Sequence, residues 1–327
     1  MPLTRAREIS TFLNKAGWPK AQRIPLAGDA GNRRYERLSD LNQGNAILMD
    51  AEPKLGEDIR SFLKISQHLL DCGISAPKIF DQDISLGLIL MQDFGDELLY
   101  KAVNDTPHLE LQLYRLAIDV LNQLHGSPPP KEVGSYFPPE MSKALVTALP
   151  WYCEKGLSRE ITEEAEISLS KLDWSNPVLV LRDFHAQNLI YRYEQSGLAQ
   201  MAVLDFQDAQ LGHPLYDVAS LIHDARRILN PSVVSLLIQE LTKAYGGQDD
   251  FKYAFAALSA QRNLRVLGVF ARLCLRDKKP SYLNLIPHVW NNLWKDLSHP
   301  LLTNLSKICE GLPTPSPSFL EGLRKNG

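Results

Sequence analysis

Arg182-Asp183, then Asn188 and then Asp205 carry the side chains whose types and spacing could do chemistry. Apolar runs deliver them into polar loops: Leu179-Val180-Leu181 precedes Arg182-Asp183, and Val203-Leu204 precedes Asp205. The set suits phosphoryl transfer. That chemistry needs a carboxylate to accept the proton of the acceptor hydroxyl. It also needs an amide oxygen and a second carboxylate to hold a magnesium ion bridging the nucleotide phosphates. Asp183 is the candidate base. Arg182 beside it can pair with a carboxylate or phosphate. Asn188 and Asp205 are the candidate metal ligands, Asn188 counting with the catalytic group as well. Taken singly, each residue has a plainer reading, as a turn Asp, a turn Asn or a helix cap. The combination favours the site.

Other candidates surround this group. Asp208 could assist the metal or fix its loop, and His185 could orient a phosphate or the substrate. Together with Asp205 and His213 they could be read as a metallohydrolase site, but no HxH or HExxH spacing supports that. Upstream, Gly28-Asp29-Ala30-Gly31-Asn32-Arg33-Arg34-Tyr35 reads as a Gly-containing turn between strands. Its backbone amides could approach phosphates, with Arg33 and Arg34 adding positive charge. Met91 and Gln92 end an apolar strand where a connector could offer hydrogen bonds to adenine. Trp151-Tyr152, Asp224 with Arg226, and Arg262 combine rings, carboxylate and guanidinium groups of the kind that recognise sugars. Each has an ordinary structural alternative, a strand turn, a loop or a charged helix face.

These residues must be positioned by two kinds of architecture. The first part of the chain alternates as short strands near 22–27, 33–38, 46–49, 78–80 and 86–91, after a helix near 4–16 and around a helix at 57–71. From Gln92-Asp93-Phe94-Gly95-Asp96 onward the pattern is helical, interrupted by a hairpin at 189–192 and 201–204. The expectation is an α+β, two-lobed fold. Residues 1–94 form a small antiparallel sheet lobe with one helix for the nucleotide, and 95–327 a larger helical lobe for catalysis and substrate. The Pro-rich stretch 311–318 is expected to be loosely held. Apolar residues make up 44% of the 327 and charged residues 22%, with a net charge of −3. That balance argues against a nucleic-acid partner held by phosphate neutralisation. There is no apolar run of spanning length, so no membrane partner is expected. Four scattered cysteines without a CxxC argue against structural zinc and disulfides, and suit a cytoplasmic protein.

The chain resembles the aminoglycoside phosphotransferase / choline kinase family, which has a protein-kinase-like fold. Asp183, Asn188 and Asp205 match its order of catalytic Asp, Asn and metal-binding Asp after a hairpin. Within the family it looks most like the anomeric N-acetylmuramate/N-acetylglucosamine kinases. That narrower likeness rests on Gly28-Asp29-Ala30 with Arg33-Arg34-Tyr35, Leu181-Arg182-Asp183-Phe184-His185, Leu204-Asp205-Phe206-Gln207-Asp208-Ala209, Tyr216-Asp217, Asp224-Ala225-Arg226-Arg227, and Gln261-Arg262 with Val266-Leu267-Gly268. The resemblance implies ATP and Mg²⁺ as cofactors, a small-molecule amino sugar as acceptor, and a monomer or weak dimer. An aminoglycoside or choline-like alcohol is the alternative acceptor, and a regulatory nucleotide binder the alternative without catalysis. Two departures stand out. Leu181 occupies a position where many members have His. The third strand, Asn45-Ala46-Ile47-Leu48-Met49-Asp50, lacks the Lys that grips the nucleotide phosphates. Arg33 or Arg34 is expected to take over, since a guanidinium on that turn can reach the same oxygens.

Overall fold

The computed structural model describes residues 3–26, 32–245 and 247–327. Gly28 and Asp29 lie outside the described residues. Helix α1 (Leu3–Lys15) leads into strands β1 (Gln22–Leu26), β2 (Arg34–Asp40) and β3 (Gly44–Asp50). Helix α2 (Arg60–Asp71) and strands β4 (Ile79–Asp83) and β5 (Leu88–Gln92) follow. The five strands form an antiparallel sheet in the order β1-β2-β3-β5-β4. Strand alternation gives the sheet two different faces. Leu38, Ala46, Leu48, Leu88 and Leu90 point to α1, where Ile9, Phe12, Leu13 and Trp18 complete a small separate core. The opposite face carries Met49, Ile89 and Met91 toward α2 and the rest of the chain, where they join the main core. Helix α2 starts at Arg60, so Glu57, expected inside it, precedes it.

The remainder is mostly helical. It comprises α3 (Leu99–Asp105), α4 (Glu110–His125), α5 (Pro138–Ala148) and α6 (Lys155–Leu169), then strands β6 (Val178–Val180), β7 (Leu189–Tyr191), β8 (Met201–Val203) and β9 (Gln210–Gly212). After these come α7 (Leu215–Ile222), α8 (Pro231–Ala244), α9 (Gln248–Leu275), α10 (Ile286–Leu297), α11 (Thr303–Cys309) and α12 (Pro317–Asn326). Two small antiparallel ladders, β6 with β9 and β7 with β8, hold the polar loops between them. Helix α9 is buried along most of its length, including Gln261, Arg262 and Asn263, and α5, α6, α7, α8, α10 and α12 pack around it. Gly268 lets it approach the end of α5, because a Cβ there would lie 2.2 Å from the Ala148 carbonyl oxygen.

The stretch expected to be loose is pinned. Leu312 is buried, and the Tyr152 hydroxyl donates to the Pro313 carbonyl at 2.7 Å. Ser316 caps α12 by accepting from the Phe319 amide at 3.2 Å. Apolar contacts between α12 and the main core supply the burial that a Pro-rich composition conceals. No helix among the described residues is long and apolar enough to cross a membrane.

Candidate active site

Asp183 follows β6 in a loop fixed from below by a buried carboxylate. Asp217, in the first turn of α7, accepts from the amides of Leu181 at 2.5 Å and Arg182 at 2.9 Å. Arg182 sits at φ 73°, a conformation costly for a residue with a Cβ. Those two hydrogen bonds help hold it there. Burial pushes the Asp217 carboxyl up to about 7 against the lowering effect of the amides. Arg182 lies over the Tyr136 ring at 4.4 Å and donates to the Asp208 carbonyl at 3.3 Å.

The same loop carries Asn188. Its Nδ2 donates to the Asp183 carbonyl at 2.9 Å and lies 3.4 Å from the Asp205 carboxylate. The Leu204 amide donates to the Asn188 carbonyl at 2.8 Å, so the chain entering Asp205 is fastened to the chain leaving Asn188. Asp205 is at φ 56°, the second strained position of the site. Gln207 Nε2 donates to its Oδ1 at 2.8 Å. Burial raises the Asp205 carboxyl, with Asp183 and Asp208 acting the same way and Arg33 opposing. Phe206 packs on Phe62 of α2 with ring centres 4.8 Å apart, and Ser61 donates to the Gln207 carbonyl at 2.5 Å. The acidic loop is thereby tied to α2, which packs on the cleft face of the sheet.

A cleft of about 490 Å³ opens between the sheet and this loop. Met91 and Gln92 line one part of it, and Asn188 and Asp205 another. Its walls are mainly apolar, including Ile47 and Phe206. Strand alternation decides which arginines it receives. Tyr35 and Arg37 line it, and Arg33 lies on that side, paired with Glu57 at 2.9 Å and exerting its charge on Asp205. Arg34 goes to the other face, 3.9 Å from Asp50 and 4.0 Å from Glu52. Arg37 bridges β2 to the connector through Asp93 at 2.6 Å and Asp96 at 2.7 Å.

A family model described as "Phosphotransferase enzyme family" matches residues 23–256. The chain belongs to this family. It is 32% identical to the N-acetylmuramate/N-acetylglucosamine kinase of Caulobacter vibrioides, covering 93% of this chain and 96% of that protein. The enzyme of the same name from Pseudomonas aeruginosa is 30% identical, with 91% of each covered. Among solved structures, a choline/ethanolamine kinase family protein from Mesorhizobium loti superposes with a TM-score of 0.60 at 15% identity, covering 94% of this chain and 98% of the other. An aminoglycoside phosphotransferase in ternary complex with ADP and hygromycin B reaches 0.57 at 12% identity, covering 93% and 99%. The protein is thus a phosphotransferase with a kinase-like fold.

Within this phosphotransferase, the donor set fits magnesium. The Asn188 amide nitrogen is engaged by a carbonyl, which leaves its oxygen for a cation, and the half-buried Asp205 carboxylate, raised by its surroundings, is one that a cation would stabilise. Magnesium is commonly held by one or two such protein oxygens, with phosphates and water supplying the rest. The metallohydrolase set is not assembled, because His213 packs edge-on against Trp174 and accepts from the Leu215 amide.

The remaining candidates divide. His185 is buried beside the site, with Nε2 3.4 Å from Asn188 Nδ2 and 3.3 Å from Arg226 Nη1; burial pushes it down to about 4, so it is neutral. Asp224 accepts from the Ala186 amide at 3.2 Å and the Arg226 amide at 2.8 Å, joining the Asp183 loop to the turn after α7. Arg262 is buried and donates to the His223 carbonyl at 3.1 Å, a bracing position behind the loop. Asp208 is exposed at the rim. Tyr152 is committed to the C-terminal segment through Pro313 and the Phe319 ring, and Trp151 lies on the surface next to it. Asp217 and Gln207 were not singled out as site residues. Asp217 stands in an otherwise apolar helical run, and a charge there was the available signal.

Proposed function

We propose that this phosphotransferase uses ATP and Mg²⁺ to phosphorylate the anomeric hydroxyl of an N-acetyl amino sugar, N-acetylmuramate or N-acetylglucosamine. The observation that carries the reading is the cleft itself, with an apolar slot at Met91 and Gln92 and an acidic end at Asn188 and Asp205, adjoining the Asp183 loop. The adenine would lie in the slot and the phosphates toward Arg33, Asn188 and Asp205. Magnesium, held by Asn188 and Asp205, would neutralise developing charge on the phosphates. Asp183 orients the acceptor hydroxyl and takes its proton. An anomeric hydroxyl is more acidic than the other sugar hydroxyls, which eases that transfer.

The acceptor class is supported by relatives that match this chain over more than nine tenths of their length and bear the amino-sugar kinase name. The cation Arg226 beside His185 also favours a neutral or anionic acceptor over a cationic aminoglycoside. Arg33 paired with Glu57 supplies a cation near the acidic loop despite the missing strand Lys, which speaks for catalysis over a purely regulatory binder. Product analysis by ³¹P NMR tests the position of transfer. Phosphorus coupled to the anomeric proton is expected. Phosphate on any other hydroxyl contradicts the assignment.

A further inference from the structure

A second groove, about 300 Å³, lies between α5 and α9 and is separate in its lining from the nucleotide cleft. Three cationic side chains line it, Lys143 from α5 and Arg265 and Arg272 from α9. No carboxylate does. The acids closest in sequence are engaged elsewhere. Glu140, one turn before Lys143, accepts from the Phe137 amide at 3.3 Å, and Asp277 is bonded to Arg276 at 2.7 Å and acts on Arg272 only through its charge, without a hydrogen bond. The Nε atoms of Arg265 and Arg272 are buried with no hydrogen-bond partner. This contrasts with the arginines around the sheet, where Arg5, Arg23, Arg33 and Arg37 each meet a carboxylate.

Buried donors without partners are costly, and so are like charges gathered closely together. An oxyanion with several acceptor atoms would answer both at once. Two guanidinium groups and an ammonium suit a tetrahedral, multiply charged phosphate better than a single-charge carboxylate. Ala144, Ala148 and Val269 keep the rest of the groove small and apolar.

We propose that this groove binds a phosphate group, either free phosphate or a phosphate monoester, at a site distinct from the nucleotide cleft. Arg265 gives the site a route to the chemistry. Its guanidinium bonds the Tyr216 side chain away from the groove and its charge is felt at Asp183, while Tyr136, edge-on to Tyr216, carries Arg182. The proposal stands whichever acceptor the cleft serves.

The test is calorimetric titration of inorganic phosphate into the full chain already saturated with Mg²⁺ and AMP-PNP, which keeps phosphate out of the cleft. The wild type is expected to bind one equivalent saturably. The Lys143→Ala/Arg272→Gln variant should bind at least about tenfold more weakly, as the loss of two charge-assisted contacts implies. Lys143→Glu, a change at an exposed position that spares folding, should show the same loss, and Lys143→Arg should retain binding. Absence of saturable binding in the wild type, equal affinity in the double variant, or acetate binding as tightly as phosphate would each overturn the proposal. Competition separates the sources within the same chemistry. Tighter displacement by N-acetylglucosamine 1-phosphate identifies a monoester ligand, and displacement no better than by phosphate identifies the free ion. Failure of AMP-PNP to bind in the first titration would count against the nucleotide reading of the cleft, and the comparison of wild type with the double variant would still decide the groove.

Discussion

Arg33 and Arg34 are neighbours of one type, and the strand gives them different work. Arg33 joins Glu57 on the cleft side, while Arg34 turns to Asp50 and Glu52 on the α1 side. If Arg33 replaces the missing strand Lys, Arg33→Ala should raise the KM for ATP by about tenfold or more, the value of one lost charge-assisted contact. Arg34→Ala should leave it within about twofold. Steady-state kinetics on the two single variants decides this, and equal effects would remove the assignment. The candidate residues Asp183, Asn188 and Asp205 were legible as a set because their spacing reflects a local loop and a hairpin, and the structure brings them together. The roles of Asp217, Asp224 and Gln207 were not. Asp217 reaches Leu181 and Asp224 reaches Ala186 across more than thirty residues of chain, and no local pattern records such a contact. The faces of Arg33 and Arg34 were readable in principle, since period-two alternation places Tyr35 and Arg37 with Arg33.

At the scale of elements, the site depends on close packing between helices that carry none of its reacting groups. Gly268 of α9 faces the end of α5, where a Cβ would meet the Ala148 carbonyl carbon at 2.3 Å and the Leu149 amide at 2.7 Å. Those are backbone atoms and cannot rotate away. Gly268→Ala should therefore cost about 3 kcal/mol of stability, at the upper end of overpacking effects. Denaturant unfolding checks it, and a neutral result would mean that α9 can shift freely. Long periodic helices such as α4 and α9 and the strands of the sheet were legible from the sequence, because each shows a sustained apolar pattern. Helix α3, strand β9 and helix α12 were not foreseen. Strand β9 has three residues and exists by pairing with β6, while α12 follows a Pro-rich stretch and gains its order from docking on the core.

Beyond the site, the molecule holds His125 and His213 with ring atoms shielded from solvent. Burial pushes His125 and His213 down to about 4, and the Nε2 of His125 is buried without a partner. A histidine with a lowered folded-state pKa binds its proton in the unfolded chain first. Stability is therefore intact above the unfolded value near 6.5 and is lost as pH falls toward 4. Each such histidine costs on the order of 2 kcal/mol by pH 5. Asp217, pushed up to about 7, acts in the opposite sense, so the informative comparison is between variants. The His125→Gln protein should lose less stability than the wild type between pH 7 and pH 5, by roughly that amount. Identical slopes in Tm against pH would show that His125 titrates normally.

We propose that Asp183 serves phosphoryl transfer to an N-acetyl amino sugar in a cleft that takes a magnesium nucleotide. The most direct measurement is Mg²⁺-dependent ADP release from ATP with N-acetylmuramate, N-acetylglucosamine, glucosamine, kanamycin and choline as acceptors, run in parallel with Asp183→Ala. Turnover on an N-acetyl sugar that falls by about 10²–10⁴ in the variant is the predicted result, the range expected for loss of a general base. Turnover confined to kanamycin or choline, or full activity in Asp183→Ala, would contradict it.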